Sequence, residues 1–343
     1  MRPGDCKTNN TNDTNGHGFV GTSLSMRALY EKIGNVASSD AAVFIQGETG
    51  TGKELCAEAI HAASSRADGP FVPVNCGAIP HDLMESEMFG HLKGSFTGAI
   101  ANRDGAAKMA DGGTLFLDEV CELAYDLQAK LLRFLQTGYI QPVGASRALK
   151  VDVRIVCATN KDPRMEMAEG RFRQDLFYRL FVLPLNLPPL RARGADIILV
   201  ANHFLKKYSR QESKDFTRFS DTAMSILENH DWPGNIREVQ NVIRMAVVMN
   251  NGPVVESSML SELLGEADHM PKLDVSAFNV AGPSSVQTGR FRFRQLWQIE
   301  RDAIEAAIVG CDGSIPKAAE KLGVSPSTIY RKRESWNGEG QAV

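Results

Sequence analysis

The eight residues GETGTGKE, Gly47 to Glu54, constrain this chain more than any other stretch, because they join a β-like run, AAVFIQG, to a helical one, ELCAEAIHAA. Glycines 47, 50 and 52 let backbone N–H groups turn inward, the helix N-terminus adds partial positive charge, and Lys53 supplies a full one. Strand, glycine-rich turn and helix together predict a cradle for ATP phosphates made of Gly47, Glu48, Thr49, Gly50, Thr51, Gly52, Lys53 and Glu54. Glu54 stands where such loops usually carry the Ser or Thr that ligates magnesium, so Mg2+ must depend on phosphate oxygens, water and another carboxylate. The run GGTLFLDE offers one at the carboxyl end of a strand, where Asp118 suits the metal shell and Glu119 the activation of an attacking water. An acidic pair capping the next helix is the competing reading, and it explains neither the apolar run nor the lysine loop.

The surroundings of that loop predict an α/β fold. From Phe19 to about residue 190, the runs AAVFIQG, FVPVNC, GTLFLDE, VDVRIVCATN and RLFVLPLN are apolar on successive positions, as strands buried on both faces of a parallel sheet must be. Helical spacing between them, as in Leu55, Ala59, Ile60 and Ala63, makes 19–190 a doubly wound domain. Residues 191–265 read as helices only, a small lid with Ser220 as a cap and WPGN as a turn. Residues 1–18 have the composition of a disordered tail, 266–293 that of a linker, and 337–343 form a second tail.

Residues 294–336 predict an all-α module. In SIPKAAEKLGVSPSTIYRKRESW, Ile315, Ala318, Ala319, Leu322, Val324 and Ile329 fit two short helices across a turn, with Gly323 at the bend, Ser325 as cap and Pro326 in the first turn. As a helix-turn-helix, it would turn Ser327, Thr328 and Arg331 toward a DNA major groove and Lys332 and Arg333 toward phosphates. Five Lys or Arg against two Glu between Ser314 and Glu334 give this segment the basic patch that a chain of net charge -3 otherwise lacks. A solvated amphipathic hairpin shows the same excess. The preceding helix, with Ile299, Ile304, Ala307 and Ile308, would pair subunits over two half-sites.

Six cysteines stand singly at positions 6, 56, 76, 121, 157 and 311, the pattern of reduced thiols in a cytoplasm rather than of bridges or zinc, and the seven histidines show no ligand spacing. The most apolar stretch, LFVLPLNLPPL, is broken by prolines and is too short for a membrane span.

The segment GHLKGSFTGAI, Gly90 to Ile100, sets glycines at 90, 94 and 98 around a Phe and a Thr. It reads as a loop with Phe96 near its tip, either exposed or folded back into the core. GSFTGA resembles the GAFTGA signature of the AAA+ domain of sigma-54-dependent transcription activators, the bacterial enhancer-binding proteins, with Ser95 in place of Ala. Leu92 stands where many members carry a charge. The resemblance extends from about Phe19 to Leu264 and again over the C-terminal module, which is similar to the Fis-type helix-turn-helix of that family.

That family implies an AAA+ P-loop ATPase core, a helical lid and a C-terminal DNA-binding domain, assembled as a hexamer that grips sigma-54 through Phe96 and Thr97. It also implies that Asn75 restrains the catalytic Glu119, that Thr159 and Asn160 sense the γ-phosphate, and that Arg237 is a second sensor. Arg173 and Arg179 would reach the neighbouring subunit's ATP as arginine fingers. On the residues alone, the two arginines can equally pair with Asp175 or Glu169, and Arg237 with Glu238. The expected partners are sigma-54 RNA polymerase and an upstream DNA element. The competing readings are an ATPase-inactive DNA-binding repressor and an AAA+ remodeller of another target. With about eighteen polar residues before the core, the sequence leaves no room for a receiver domain, and control in trans is expected.

Overall fold

The computed structural model describes residues 18–269, 301, 304–308, 311 and 313–338. Residues 1–17, most of the expected linker, Ile299 and the end of the C-terminal tail lie outside them. The chain divides into two compact units, Met1–Pro271 and Lys272–Val343.

In the first unit, β1 (Val43–Gln46), β2 (Phe71–Asn75), β3 (Thr114–Asp118), β4 (Arg154–Thr159) and β5 (Leu183–Asn186) form one parallel sheet in the order β2–β3–β4–β1–β5. The register runs Phe71 opposite Thr114, Thr114 opposite Arg154, Val43 opposite Val156, and Val43 opposite Leu183. The middle strands are buried almost throughout, but β2 and β5 are not, which corrects the expectation that all five are covered on both faces. Both outer strands carry a proline, Pro73 and Pro184, which has no N–H to donate and is tolerated at a sheet edge.

Helix α1 (Leu24–Ala37) and α2 (Lys53–Ala62) pack on one face around Met26, Ile33, Ile45, Ile60 and Phe116. The other face holds α3 (His81–Phe89), α4 (Tyr125–Thr137) and α5 (Gln174–Leu180) around Phe44, Met88, Leu117, Leu131 and Leu176. Arg154 is fully buried, and its guanidinium donates to the carbonyls of Val36 (2.7 Å) and Ala37 (2.9 Å). A cation thus closes the negative end of α1 and ties it to the central strand.

The lid comprises α6 (Asp196–Gln211), α7 (Asp221–Asn229), α8 (Asn235–Met249) and α9 (Ser257–His269), packed around a fully buried Trp232 whose indole N–H donates to Leu227 O at 2.8 Å. Ser220 Oγ accepts the Ala223 N–H, so the expected cap is present. The lid is not purely helical. Arg218–Phe219 and Val254–Val255 form a two-residue parallel pair, held together where Thr217 and Ser220 N–H groups reach the carbonyls of Pro253 and Val255. Two residues are too few to leave a period in the sequence.

In the second unit, α10 (Ile315–Leu322) and α11 (Pro326–Gly338) enclose Ile304, Ile308, Cys311, Ala318, Ala319 and Ile329. Gly323 bends with φ +67°, and Ser325 Oγ caps α11 by accepting the Thr328 N–H. Leu322 and Val324, expected in this core, are exposed; they flank the left-handed bend, which turns the chain there and leaves them outside so small a core. Among the described residues no helix is long and apolar enough to cross a membrane.

The tightest backbone approach in the sheet is at Gly113. A Cβ there would lie 2.0 Å from the Pro70 carbonyl oxygen that accepts the Thr114 N–H, so the start of β3 cannot yield without losing that bond. Gly113→Ala is expected to lower stability by about 1–3 kcal/mol, the usual range for an overpacked interior. Urea unfolding measured by circular dichroism checks this.

Candidate nucleotide site and effector loop

The phosphate cradle lies at the carboxyl end of β1, with Gly50 and Gly52 at φ +79° and +96°. Lys53 is nearly buried; its Nζ donates to the carbonyls of Gly47 (3.1 Å) and Glu48 (3.4 Å) and stands 3.6 Å from Glu119 Oε1. Thr51 is buried with its hydroxyl on Glu48 O, whereas Thr49 and Glu54 are exposed.

Asp118 ends β3, and its Oδ1 accepts the Glu119 N–H at 3.0 Å. Burial pushes the Asp118 carboxyl above the ordinary carboxylate range, with the Lys53 charge pulling it back. Among the described residues, no three or more His, Cys, Asp or Glu side chains converge as a metal cage. A half-buried carboxylate of this kind still fits magnesium as it is held beside phosphates, by one or two acidic oxygens and no full protein shell.

Glu119 is held in the left-handed region at φ +52°, a strained pose for a residue with a side chain. The pose brings its Oε1 to Lys53, while its Oε2 accepts the Asn160 N–H at 3.2 Å. The Asn160 amide in turn donates to Thr49 Oγ1 at 3.0 Å, so the end of β4 touches both the acid and the phosphate loop. Thr159 is buried, and its hydroxyl accepts the Lys161 N–H.

Asn75 is paired in register with Asp118, but its Oδ1 accepts the N–H groups of Gly77 and Ala78 and makes no hydrogen bond to Glu119. Neither Arg173 nor Arg179 bonds to the acidic pair. Arg173 is bidentate to Asp175 (3.0 and 2.8 Å) and sits over the Tyr125 ring, and Arg179 donates to Leu135 O. Glu169 pairs with Arg171 instead. Arg237 is exposed, and its charge acts on Asp118; Glu238 accepts the Gly234 N–H, and no ion pair joins it to Arg237 among the described residues.

One part of the site has no local signal in the sequence. Asn235, fully buried at φ +52°, donates from its amide to Glu48 Oε2 (3.1 Å) and Thr49 O (3.0 Å) and accepts the Leu190 N–H (2.8 Å). Arg191 donates to both Glu48 oxygens at 2.8 and 2.5 Å, and the buried Arg193 reaches Thr51 O at 3.0 Å. Gly50 O accepts the Ile236 N–H, and a Cβ on Gly50 would lie 2.2 Å from Gly234 O, so a side chain there would push the lid away. The phosphate loop is therefore bonded to the lid at four successive residues, Glu48 to Thr51. The Arg191 guanidinium first, and the Asn235 amide second, hold the Glu48 carboxyl down at about 2.

The glycine-flanked loop stands outside the core. Its base pairs Gly90–His91 with Arg103–Asp104 and exchanges backbone bonds with Val143, and its neck closes by Gly94 N–H to Ala99 O at 2.8 Å. Phe96 is 37% exposed, Thr97 is exposed, and neither belongs to a buried cluster. Ser95 donates its hydroxyl to Leu92 O at 2.7 Å.

Residues 19–186 match the family described as "Sigma-54 interaction domain", residues 191–274 the "AAA+ ATPase lid domain", and residues 295–336 the "Bacterial regulatory protein, Fis family". The chain is 53% identical over 333 residues to the regulatory protein LuxO of Vibrio parahaemolyticus serotype O3:K6 (strain RIMD 2210633), covering 97% of this chain and 72% of LuxO. It belongs to the sigma-54-dependent transcription activators. It is also 42% identical over 322 residues to the regulatory protein AtoC of Escherichia coli (strain K12), covering 94% and 68% of the two chains. Among solved structures, NtrX from Brucella abortus in complex with ADP is similar with a TM-score of 0.67 and 34% identity, over 94% of this chain and 69% of NtrX. The chain thus carries the nucleotide-binding and DNA-binding domains of its family.

On α11, Ser327 and Arg331 are exposed and Lys332 is half-buried; Thr328 is half-buried with its hydroxyl 2.8 Å from that of Ser325. The Arg333 side chain lies outside the described residues. Tyr330, 56% exposed on the same helix, is a residue that the sequence reading did not single out, although it directly precedes Arg331.

The depressed Glu48 carboxyl gives a test of the lid clamp. A folded-state value of about 2, against about 4.3 in an unfolded chain, means that the clamp stabilises fully above that unfolded value and fades as pH falls toward 2. Glu48→Gln is expected to lower the thermal midpoint at neutral pH, with the gap to the parent closing below pH ~4. Parallel melts across pH, with hydrogen exchange at the Leu190 and Ile236 amides rising in the variant, check this.

Proposed function

We propose that this chain is a cytoplasmic, ATP-hydrolysing activator that binds an upstream DNA element through α11, assembles as a hexamer from dimers, and remodels the sigma-54 RNA polymerase closed complex through the Phe96–Thr97 tip. The observation that carries the reading is the convergence of Lys53, Glu119 and Asn160 on one phosphate loop, in a chain that also exposes a Phe-Thr tip on a GSFTGA loop. In this reading the backbone N–H groups of Gly47 to Lys53 and the Lys53 ammonium hold the β and γ phosphates, and Arg237 approaches them from the lid. Asp118 would hold magnesium, which when bound supplies positive charge to the phosphate oxygens. Glu119 orients and deprotonates the attacking water, and Asn160, bonded to Glu119 and Thr49, registers whether the γ-phosphate is present.

Arg173 and Arg179 complete the site of a neighbouring subunit in the ring. Arg173 exchanges its Asp175 partner for the transferred phosphoryl group, whose developing charge a guanidinium stabilises. Asn75, one strand from Asp118, restrains Glu119 until the tip engages its target. The step in ATP state becomes a change in the pose of the tip, a population shift rather than a covalent transfer to the protein.

Transcription in vitro from a sigma-54 promoter, with the parent chain, Glu119→Gln and Thr97→Ala side by side, tests the reading. Glu119→Gln is expected to bind ATP but lose about 10²–10⁴-fold in turnover, and open complexes with it. Thr97→Ala is expected to keep hydrolysis and lose open-complex formation. A parent chain that hydrolyses ATP without opening the promoter would instead mark a remodeller of another protein.

A further inference from the structure

Among the described residues, the Phe96 ring has one aromatic neighbour, and it belongs to the base of the loop rather than to the core. His91 and Phe96 meet edge-on, with ring centroids 5.0 Å apart and planes at 65°. The imidazole is itself held: its Nδ1 lies 2.6 Å from the hydroxyl of Ser86, a buried residue on α3. His91 also sits in the backbone pairing with Arg103 and bridges Val143, so its position is set by three separate segments. The tip is held by the bonds of its own turn, Ser95 N–H to Leu92 O and Ala99 N–H to Phe96 O. Gly94 and Gly98, at φ +82° and +109°, have open space where a Cβ would be, so they serve the backbone angles of the neck and not its packing.

A fixed imidazole against a ring on a hinged tip is a latch. We propose that His91 is a positioning residue for Phe96: oriented by Ser86, it holds the ring against the loop base, and engagement of sigma-54 requires this contact to open. The inference rests on the function proposed above and assigns the residue that restrains its tip. A single edge-to-face contact biases a two-state loop by about twofold to tenfold, strong enough to set the resting pose and weak enough for a nucleotide-driven step to break.

The test uses the full chain with one fluorine on the Phe96 ring, read by fluorine NMR without nucleotide and with ADP and aluminium fluoride. The solvent isotope shift between light and heavy water reports exposure of the ring. His91→Ala is expected to raise that shift to the fully exposed value, Ser86→Ala to raise it partway, and His91→Phe, which restores an aromatic edge, to return it toward the parent. In a second arm without the fluorine, His91→Ala is expected to capture sigma-54 without the aluminium fluoride complex about twofold to tenfold more tightly than the parent does. ADP binding verifies the fold, and His91→Gln replaces the alanine variant if that binding is lost. An isotope shift equal in His91→Ala and parent overturns the latch, as does unchanged capture where the parent captures sigma-54 only with the analogue. A parent that captures sigma-54 in no state overturns the proposed function, while the fluorine arm still decides the contact.

Discussion

The amide of Asn235 is the interaction on which the arrangement of the first unit turns. It is buried, and a buried amide must find partners for both its donors and its acceptor. It finds them in the phosphate loop and in the Leu190 turn that opens the lid. Satisfying that one side chain forces the lid helix to begin against Gly50, which is possible because Gly50 has no β-carbon to meet the Gly234 carbonyl. The phosphate loop is therefore supported from both sides, by the sheet through Lys53 and Glu119 and by the lid through Glu48 and Asn235. Any rearrangement of the loop around nucleotide has to be felt in the lid.

The same logic of shared polar partners links the loop to the sheet. Glu119 is strained at φ +52° and stays there because Lys53 and the Asn160 N–H take its two oxygens. The strain is local, at the residue where chemistry is proposed, and the partners that sustain it come from β1's loop and the end of β4. The parallel sheet brings those carboxyl ends together on one edge, as open α/β sheets do. On the opposite layer, the effector loop is rooted on α3 and on Val143, so its base is rigid while its tip is hinged.

Much of the site was legible because its signals are local. GETGTGKE, GGTLFLDE and VRIVCATN each place a polar residue at the end of an apolar run, and a buried strand followed by a turn does the rest. The cap at Ser220, the bend at Gly323 and the cap at Ser325 are also set within a few residues. The Arg173–Asp175 pair, two residues apart, belongs to the same class. What the sequence did not disclose are contacts between distant segments. Glu48 meets Arg191 and Asn235 across 143 and 187 residues, and no period or spacing encodes such a pairing.

The sequence by itself determined the fold class, the order of the domains, the phosphate loop, the acidic pair and the glycine-hinged tip, because each follows from the conformational preferences and polarity of neighbouring residues. Only the tertiary structure decided which strands are edges, that Asn75 bonds to its own turn, that Arg173 lies over the Tyr125 ring, and that Phe96 lies against His91. These depend on which buried polar groups and rings compete for the same partner. That competition is settled by packing in three dimensions, where each donor, acceptor and ring edge can be used only by what reaches it.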